Sequence, residues 1–472
     1  MDAPLYNGIK KLAKENAYPM CMPGHKRNRQ LVNDSLLDFD FTEVDGSDNM
    51  HLPTGIILDA EKKMAEHNKC DESLFLVNGG SSGVLTAILG TVNPGDKIAL
   101  CRNAHKSVYN ALVLSGATPV HISPEVLPCG IAVGITENAL ETAFQRYPDI
   151  KAVLITSPTY EGFASNITEL ANCAHRHNTV LIVDETHGAH FGFSEVFPKS
   201  AMEQGADISI QSWHKTLPCP NQSAVINFKG NRLNISKLKS AYSMVQTTSP
   251  SYIMMCLMDK TRALFTENES YFARYSENLK NIRARLKNLV NLRLLGAEYI
   301  GKNGVCDIDI GKIVILTGKK TSGSVLAQML LKGYNIQIEL CSLNHIIAMT
   351  SVADSKERLD ALADALLEID KKLPAYEPVD YGSYSDQIST PLINPRAAFY
   401  GKAEETDISI SEGLVCGEVV TVYPPDIPLL LPGEIINQKH IALIDEYRKN
   451  GITVMGAENG KIKTTEVNTN EL

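Results

Sequence analysis

Between residues 97 and 211 the chain alternates short apolar runs with helix-like stretches, and this alternation restricts the fold more than any other feature. The runs at 97–101, 151–156, 180–184 and 208–211 are rich in β-branched residues and bounded by turn formers. They are too short for helices and apolar along their length, which is the pattern of strands covered on both faces. The intervening stretches at 140–147 and 167–177 carry apolar residues at helical spacing. Strands alternating with helices imply βαβ units and a mostly parallel sheet. An α/β large domain is expected over residues 51–268, preceded by an N-terminal arm over residues 1–50.

Residues 269–290 read as one long helix, with Phe272, Tyr275, Leu279, Ile282, Leu286 and Leu289 three or four apart. A helix of that length can carry the chain into a second domain. Apolar segments at 312–317 and 345–349, then an amphipathic helix at 355–373, predict a smaller α+β domain within residues 269–472. Residues 374–386, rich in Pro, Tyr, Ser and Gly, read as a surface connection, and the polar C-terminus as a frayed tail. A chain of 472 residues, 44% hydrophobic, can fill such cores. Its net charge of -9 argues against a nucleic-acid or anionic-membrane surface and mildly favours a cationic small molecule. The ten cysteines are scattered without a CxxC pair, so they are expected to be reduced thiols, with no metal site. The start, Met1-Asp2-Ala3-Pro4, lacks a basic segment followed by an apolar one, and no stretch reaches the roughly 18 apolar residues of a membrane span. A soluble, cytoplasmic protein is expected.

Three segments carry chemistry. Asn78-Gly79-Gly80-Ser81-Ser82-Gly83 follows a short apolar run and opens a helix-like stretch at 84–89. Glycines admit an anion close to the backbone, hydroxyls donate to it, and the helix start adds N–H groups and a positive dipole end. Gly and Ser also serve turn geometry alone. The run at 180–184 ends in Asp184, where ligands of open parallel sheets sit, although an acid there can equally be a helix N-cap. The run at 208–211 leads into Ser212-Trp213-His214-Lys215-Thr216. A phosphate turn, an acid to keep a ring nitrogen protonated and a reactive amine, in this order, are the parts that pyridoxal 5'-phosphate (PLP) needs.

Beyond these, Met22-Pro23-Gly24-His25-Lys26, the stretch 40–55, Arg102-Asn103-Ala104-His105-Lys106-Ser107 and Ser157-Pro158-Thr159-Tyr160-Glu161-Gly162 stand in order. Residues 184–190, Ser212 to Leu217, Tyr423-Pro424-Pro425 and Pro432-Gly433-Glu434 complete the set. Together these motifs resemble the Orn/Lys/Arg decarboxylase family, PLP enzymes of the aspartate-aminotransferase fold (fold type I), in its short branch without an N-terminal receiver-like domain. The resemblance implies that Lys215 carries the cofactor, Asp184 faces its pyridine nitrogen and His105 stacks on its ring. It assigns the phosphate to Ser81, Ser82, Gly83, Ser212 and His214, and places Thr159 and His187 near the phenolic oxygen. It also implies a homodimer with shared active sites, in which Thr247 and Ser249 reach a neighbour's phosphate. The catalytic set is Lys215, Asp184, His105 and His187.

The implied reaction is decarboxylation of a basic amino acid, with arginine favoured and lysine or ornithine open. Glu434, Asp426, Asp40 and Glu43 are the candidate readers of the substrate cation. An aminotransferase, a lyase or a catalytically silent homologue is the alternative, because one electron sink serves any bond to the α-carbon. The chain departs from the family pattern at Pro220-Asn221-Gln222, at Asp426 in place of glycine, and at Thr186 in place of alanine. These departures bear on the substrate rather than the cofactor.

Overall fold

The computed structural model describes residues 1–15, 20–23, 25–27, 35–379, 391–423 and 427–466. They fall into two compact units, neither continuous in sequence. One comprises Met1–Thr91, Ile182–Tyr275 and Ser351–Ala353; the other comprises Val92–Leu181, Ser276–Thr350 and Asp354–Leu472. The first eight strands are β1 (Glu72–Leu76), β2 (Lys97–Cys101), β3 (Thr118–Ile122), β4 (Ile150–Thr156), β5 (Phe163–Ser165), β6 (Val180–Asp184), β7 (Ile208–Gln211) and β8 (Ala224–Phe228). The four runs read as strands are β2, β4, β6 and β7.

In the first unit the strand order is β1-β8-β7-β6. β6 and β7 are parallel, whereas β8 runs antiparallel to both β7 and β1. A buried polar ladder sets the register here. Asn227 on β8 lies opposite Ser73 on β1 and Ser209 on β7, accepts from Ser73 Oγ (2.6 Å) and donates to Ser209 Oγ (3.0 Å). A one-residue slip would strand all three groups in the core without partners. The N-terminal helix Pro4–Glu15 belongs to this unit: Leu5 and Ile9 are buried, and Asp259 accepts the amides of Leu5 (3.0 Å) and Tyr6 (3.2 Å). It does not stand apart as an arm.

The second unit carries β4-β2-β3, all parallel, as the βαβ pattern predicts. It also holds β9 (Arg293–Leu294), β10 (Val305–Ile308), β11 (Lys312–Leu316), β12 (Leu340–Cys341) and β13 (His345–Met349). β12-β13-β11-β9 form an antiparallel sheet and β10 pairs with β5. The C-terminal part adds β14 (Ala403–Asp407), β15 (Val415–Cys416), β16 (Val420–Tyr423), β17 (Ile427–Leu430), β18 (Thr453–Met455) and β19 (Lys461–Thr465), arranged as two three-stranded sheets. These two sheets and the helix Gln438–Lys449 share an apolar core that includes Cys416, Val420, Leu430 and Ile444.

The long helix runs Ser270–Leu286 and buries five residues of the predicted stripe, while the sixth, Leu289, is buried just beyond its end. It ends before residue 290 because the chain turns there onto Asp370, whose carboxylate accepts the amides of Val290, Asn291 and Leu292 at 2.7–2.9 Å. Of the predicted connection at 374–386, residues 374–379 have no regular structure and the remainder lies outside the described residues. Among the described residues, no helix is long and apolar enough to cross a membrane.

Candidate active site

Lys215 sits on a four-residue helix, Trp213–Thr216, immediately after β7. Trp213 is fully buried, with its ring against Phe193 and His67, and this anchors the helix. His214 ties the same helix to the next segment, its Nδ1 lying 3.0 Å from the Ser223 carbonyl, and burial lowers its pKa. Held in this way, the Lys215 amine lies 3.0 Å from His187 Nε2 and 3.3 Å from Thr186 Oγ1. Thr186 and His187 follow Asp184, which ends β6 and is 2% exposed. The Thr186 amide donates to Asp184 Oδ1 at 3.1 Å, so acid, hydroxyl and imidazole are fixed relative to one another by a single turn, and the Lys215 amine reaches them from the helix after β7.

Glu185 anchors that turn from behind. Its Oε1 accepts the Ala201 amide (2.7 Å) and its Oε2 accepts from Gln211 on β7 (2.9 Å). Burial pushes its carboxyl up to about 8 against the opposing pull of those donors.

The glycine-rich segment is itself the first turn of a helix, Gly79–Thr91, which begins five residues before the expected start at Val84. Gly79 has φ +76°, the left-handed turn into that helix. A Cβ at Gly80 would come within 2.5 Å of Ser212 Oγ and 2.7 Å of Thr186 Cγ2, so this backbone can lie against them only as glycine. Ser81 is exposed at the helix start. Ser82 is committed internally: its hydroxyl donates to the Gly79 carbonyl (2.7 Å) and accepts from Gln246 (2.8 Å). Gly83 serves packing, since a Cβ there would meet Ile210 at 2.7 Å and Leu76 at 2.8 Å. Thr247 and Ser249 are exposed, and the Thr247 carbonyl lies 2.9 Å from His51 Nε2.

An amine on a helix anchored by Trp213, a buried acid and a glycine-lined helix start fit a phosphorylated pyridine aldehyde. Lys215 would carry its aldehyde carbon, Asp184 would hold its ring nitrogen, and Ser81 with the amides around Gly80 would hold its phosphate.

The second unit carries the remaining predicted residues. His105 caps the helix Lys106–Ser115. Its Nδ1 accepts the Ser107 amide at 3.2 Å, which fixes the ring plane and leaves the proton of the neutral ring on Nε2. Thr159 is buried, and its hydroxyl takes the Phe163 amide at 3.3 Å inside its own turn. Glu434 does not stand at an open surface. It is 0% exposed and paired with Arg102 at 3.1 Å; burial raises its pKa and Arg102 opposes the rise.

In the first unit, Asp40 faces His25 at 3.1 Å and Glu43 accepts from Thr42 Oγ1 at 2.8 Å, while Glu43 Oε1 is buried without a hydrogen-bond partner. Asp426 lies outside the described residues. No cluster of three His, Cys, Asp or Glu able to hold a metal occurs among the described residues. Sequence reasoning assigned no role to Glu185 or Arg102, and took Gln246 only as the start of the stretch 246–249 that the resemblance brings to a neighbour's phosphate. For Thr186 the signal was present, because it is the one residue of its motif that departs from the family pattern.

Comparison with known proteins agrees with this arrangement. The family described as Orn/Lys/Arg decarboxylase, major domain, matches residues 3–312, and the C-terminal domain of that family matches residues 364–449. An arginine decarboxylase of Halalkalibacterium halodurans is 34% identical over 476 residues, covering 98% of this chain and 97% of the relative. An arginine decarboxylase of Bacillus subtilis is 32% identical, covering 99% and 98%. The crystal structure of the lysine decarboxylase LdcF of Francisella novicida superposes with a TM-score of 0.82 at 19% identity, covering 98% of this chain and 81% of that one. An alanine–glyoxylate aminotransferase from Nostoc superposes at 0.55 and 16% identity, covering 71% of this chain and 91% of that one, which places the fold among α/β PLP enzymes of fold type I. The cofactor is pyridoxal phosphate. With both domains matched and relatives above 30% identity along nearly its whole length, the chain belongs to the Orn/Lys/Arg decarboxylase family.

Proposed function

We propose that this enzyme removes the α-carboxylate of a basic amino acid, arginine before lysine or ornithine, releasing CO2 and the corresponding amine. The observation that carries the reading is the placement of the Lys215 amine, on the helix after β7, 3.0 Å from His187 Nε2 in the turn that follows the buried Asp184. The names of the relatives support arginine as the substrate. When bound, pyridoxal phosphate supplies an electron sink for the pair of electrons left by the departing carboxylate.

The protein's own groups do the rest. Lys215 must be neutral at Nζ to act as a nucleophile, and His187 Nε2 at hydrogen-bond distance can take its proton and return it. Asp184, held through Oδ1 by the Thr186 amide, keeps a negative charge where a ring nitrogen is to stay protonated. His105, with its ring plane fixed by Ser107, keeps the stacking role that the family resemblance gives it.

Reading of the substrate cation passes from Glu434, which is committed to Arg102, to Glu43 and then Asp40. Glu43 Oε1 and Glu434 Oε1 are both buried without a hydrogen-bond partner, and such an oxygen is stabilised by a cation and left unpaired by a neutral side chain; Glu43 comes first because Glu434 already has the Arg102 guanidinium as its counter-charge. We further propose a cytoplasmic homodimer in which the exposed Thr247 and Ser249 serve the neighbouring subunit's phosphate site.

Incubation with arginine, lysine and ornithine, followed by mass spectrometry of the amine product and measurement of CO2 against keto acid, tests the reaction. Keto acid without CO2 would make the enzyme an aminotransferase. Glu43→Gln should lower the preference for basic over neutral substrates, and an unchanged ratio would remove Glu43 from recognition. Light scattering in solution should give the mass of two chains; a monomer that turns over would end the shared-site proposal.

A further inference from the structure

The second unit contains a buried ion pair that the proposed chemistry does not use. Arg102 follows β2 directly, is 3% exposed, and lies three residues before His105. Its guanidinium donates to the carbonyls of Pro428 (2.8 Å) and Leu429 (3.3 Å) on β17 and to Glu434 Oε2 (3.1 Å). Glu434 lies where segments cross. Its Oε2 also accepts the Leu431 amide (2.9 Å), its carbonyl accepts the Cys416 amide (2.8 Å), and Gly433 before it (φ +91°) lies too close to Ile393 to carry a side chain.

On the other side, the Arg102 amide donates to Ile122 (3.2 Å), its carbonyl accepts from the Tyr109 hydroxyl (3.2 Å), and the Ala104 amide returns to Cys101 (3.1 Å). The turn 102–105 is thus held at one end by β3 and the following helix, and through the Arg102 side chain by the C-terminal segment.

We propose that the Arg102–Glu434 pair positions His105: the C-terminal segment, through Glu434, sets the turn from which the His105 ring projects. Glu434 is then a positioning residue for the reaction rather than a reader of the substrate cation. A buried pair is a poor source of net stability, because two well-packed apolar side chains of similar volume commonly do as well or better, whereas one charge left alone is strongly destabilising. A pair kept only for stability could therefore be exchanged for apolar residues without loss, and a pair kept for the placement of His105 could not.

The kinetic part of this proposal rests on the decarboxylase reading; its structural part does not. Glu434→Gln and the double variant Arg102→Met/Glu434→Met are compared with the cofactor-loaded wild type by hydrogen exchange, thermal midpoint, kcat and KM. In Glu434→Gln, amide exchange should accelerate over residues 102–109 while residues 208–217 keep their protection. Its kcat should fall on the order of 10- to 100-fold, the range of a misplacement near 1 Å, with KM little changed. In the double variant the thermal midpoint should return to that of the wild type or above while kcat stays depressed. Should Glu434→Gln fail to fold, the double variant decides alone.

Recovery of kcat together with the midpoint in the double variant would overturn the proposal. So would unchanged exchange over 102–109 in folded Glu434→Gln. A wild type that releases no CO2 from any basic amino acid would instead refute the decarboxylase reading, and hydrogen exchange would still decide whether Glu434 sets the turn.

Discussion

Lys215→Ala should abolish turnover, and borohydride reduction should leave no phosphopyridoxyl group on the chain, because this amine alone stands on the helix after β7 beside His187. Peptide mapping checks it; an adduct on another lysine would refute the assignment. Asp184→Asn should still bind the cofactor but slow CO2 release by about two to three orders of magnitude, since a neutral amide cannot hold a ring nitrogen protonated. Near-normal turnover would remove that role. The places of both residues were legible in the sequence because each stands at the end of an apolar run, the place from which α/β sheets present groups to ligands. The surroundings of Glu434 were not legible, for an equally local reason. Its motif marked it as important, but its partner Arg102 lies far away in the chain, and no local pattern announces a pair that only folding creates. Nor does the sequence announce the partners of the Ser82 hydroxyl, Gly79 and Gln246.

The helix that opens the phosphate cradle is held to glycine at Gly80 by Ser212 and Thr186. Gly80→Ala should therefore destabilise the protein by about 1–3 kcal/mol, the usual range for overpacking, and weaken cofactor binding. Thermal unfolding without cofactor and a fluorescence titration with pyridoxal phosphate separate the two effects; wild-type affinity would mean that the turn tolerates a methyl group. Strands were the most readable elements. β2, β6, β7 and β13 lie where their apolar runs predict, because a strand covered on both faces writes its burial into every residue. Helix ends were less readable: the Ser270–Leu286 helix stops where distant Asp370 takes the next amides, and the Gly79–Thr91 helix starts inside what reads as a loop. The C-terminal sheets, with strands of two to five residues, carry too short a pattern to be recognised locally.

For the molecule as a whole, Glu185 links stability to pH. Its carboxyl titrates at about 8 in the fold against an ordinary 4.5, so its protonated form favours folding. That contribution is complete below the ordinary value, declines as pH rises, and is lost once pH passes the folded value. Glu185→Gln should therefore gain on the wild type in thermal midpoint as pH is raised between about 5 and 8, then level off. A midpoint difference that is flat with pH would mean that Glu185 is ionised throughout. The α/β class and the family were readable across the whole chain because the motifs run nearly end to end. The two compact units were not readable, since the one carrying Lys215 is assembled from Met1–Thr91, Ile182–Tyr275 and Ser351–Ala353, and sequence order conceals such discontinuity. That discontinuity has a consequence in time. As the chain leaves the ribosome, the cradle at Gly80 emerges early, yet its unit cannot close until the segment ending at Tyr275 has followed. At roughly 5–20 residues per second, the interval from Thr91 to Tyr275 lasts about 10–40 s. Cofactor capture by Lys215 thus waits on a segment made well after the cradle, and a nascent chain stalled within the excursion holds half a binding site.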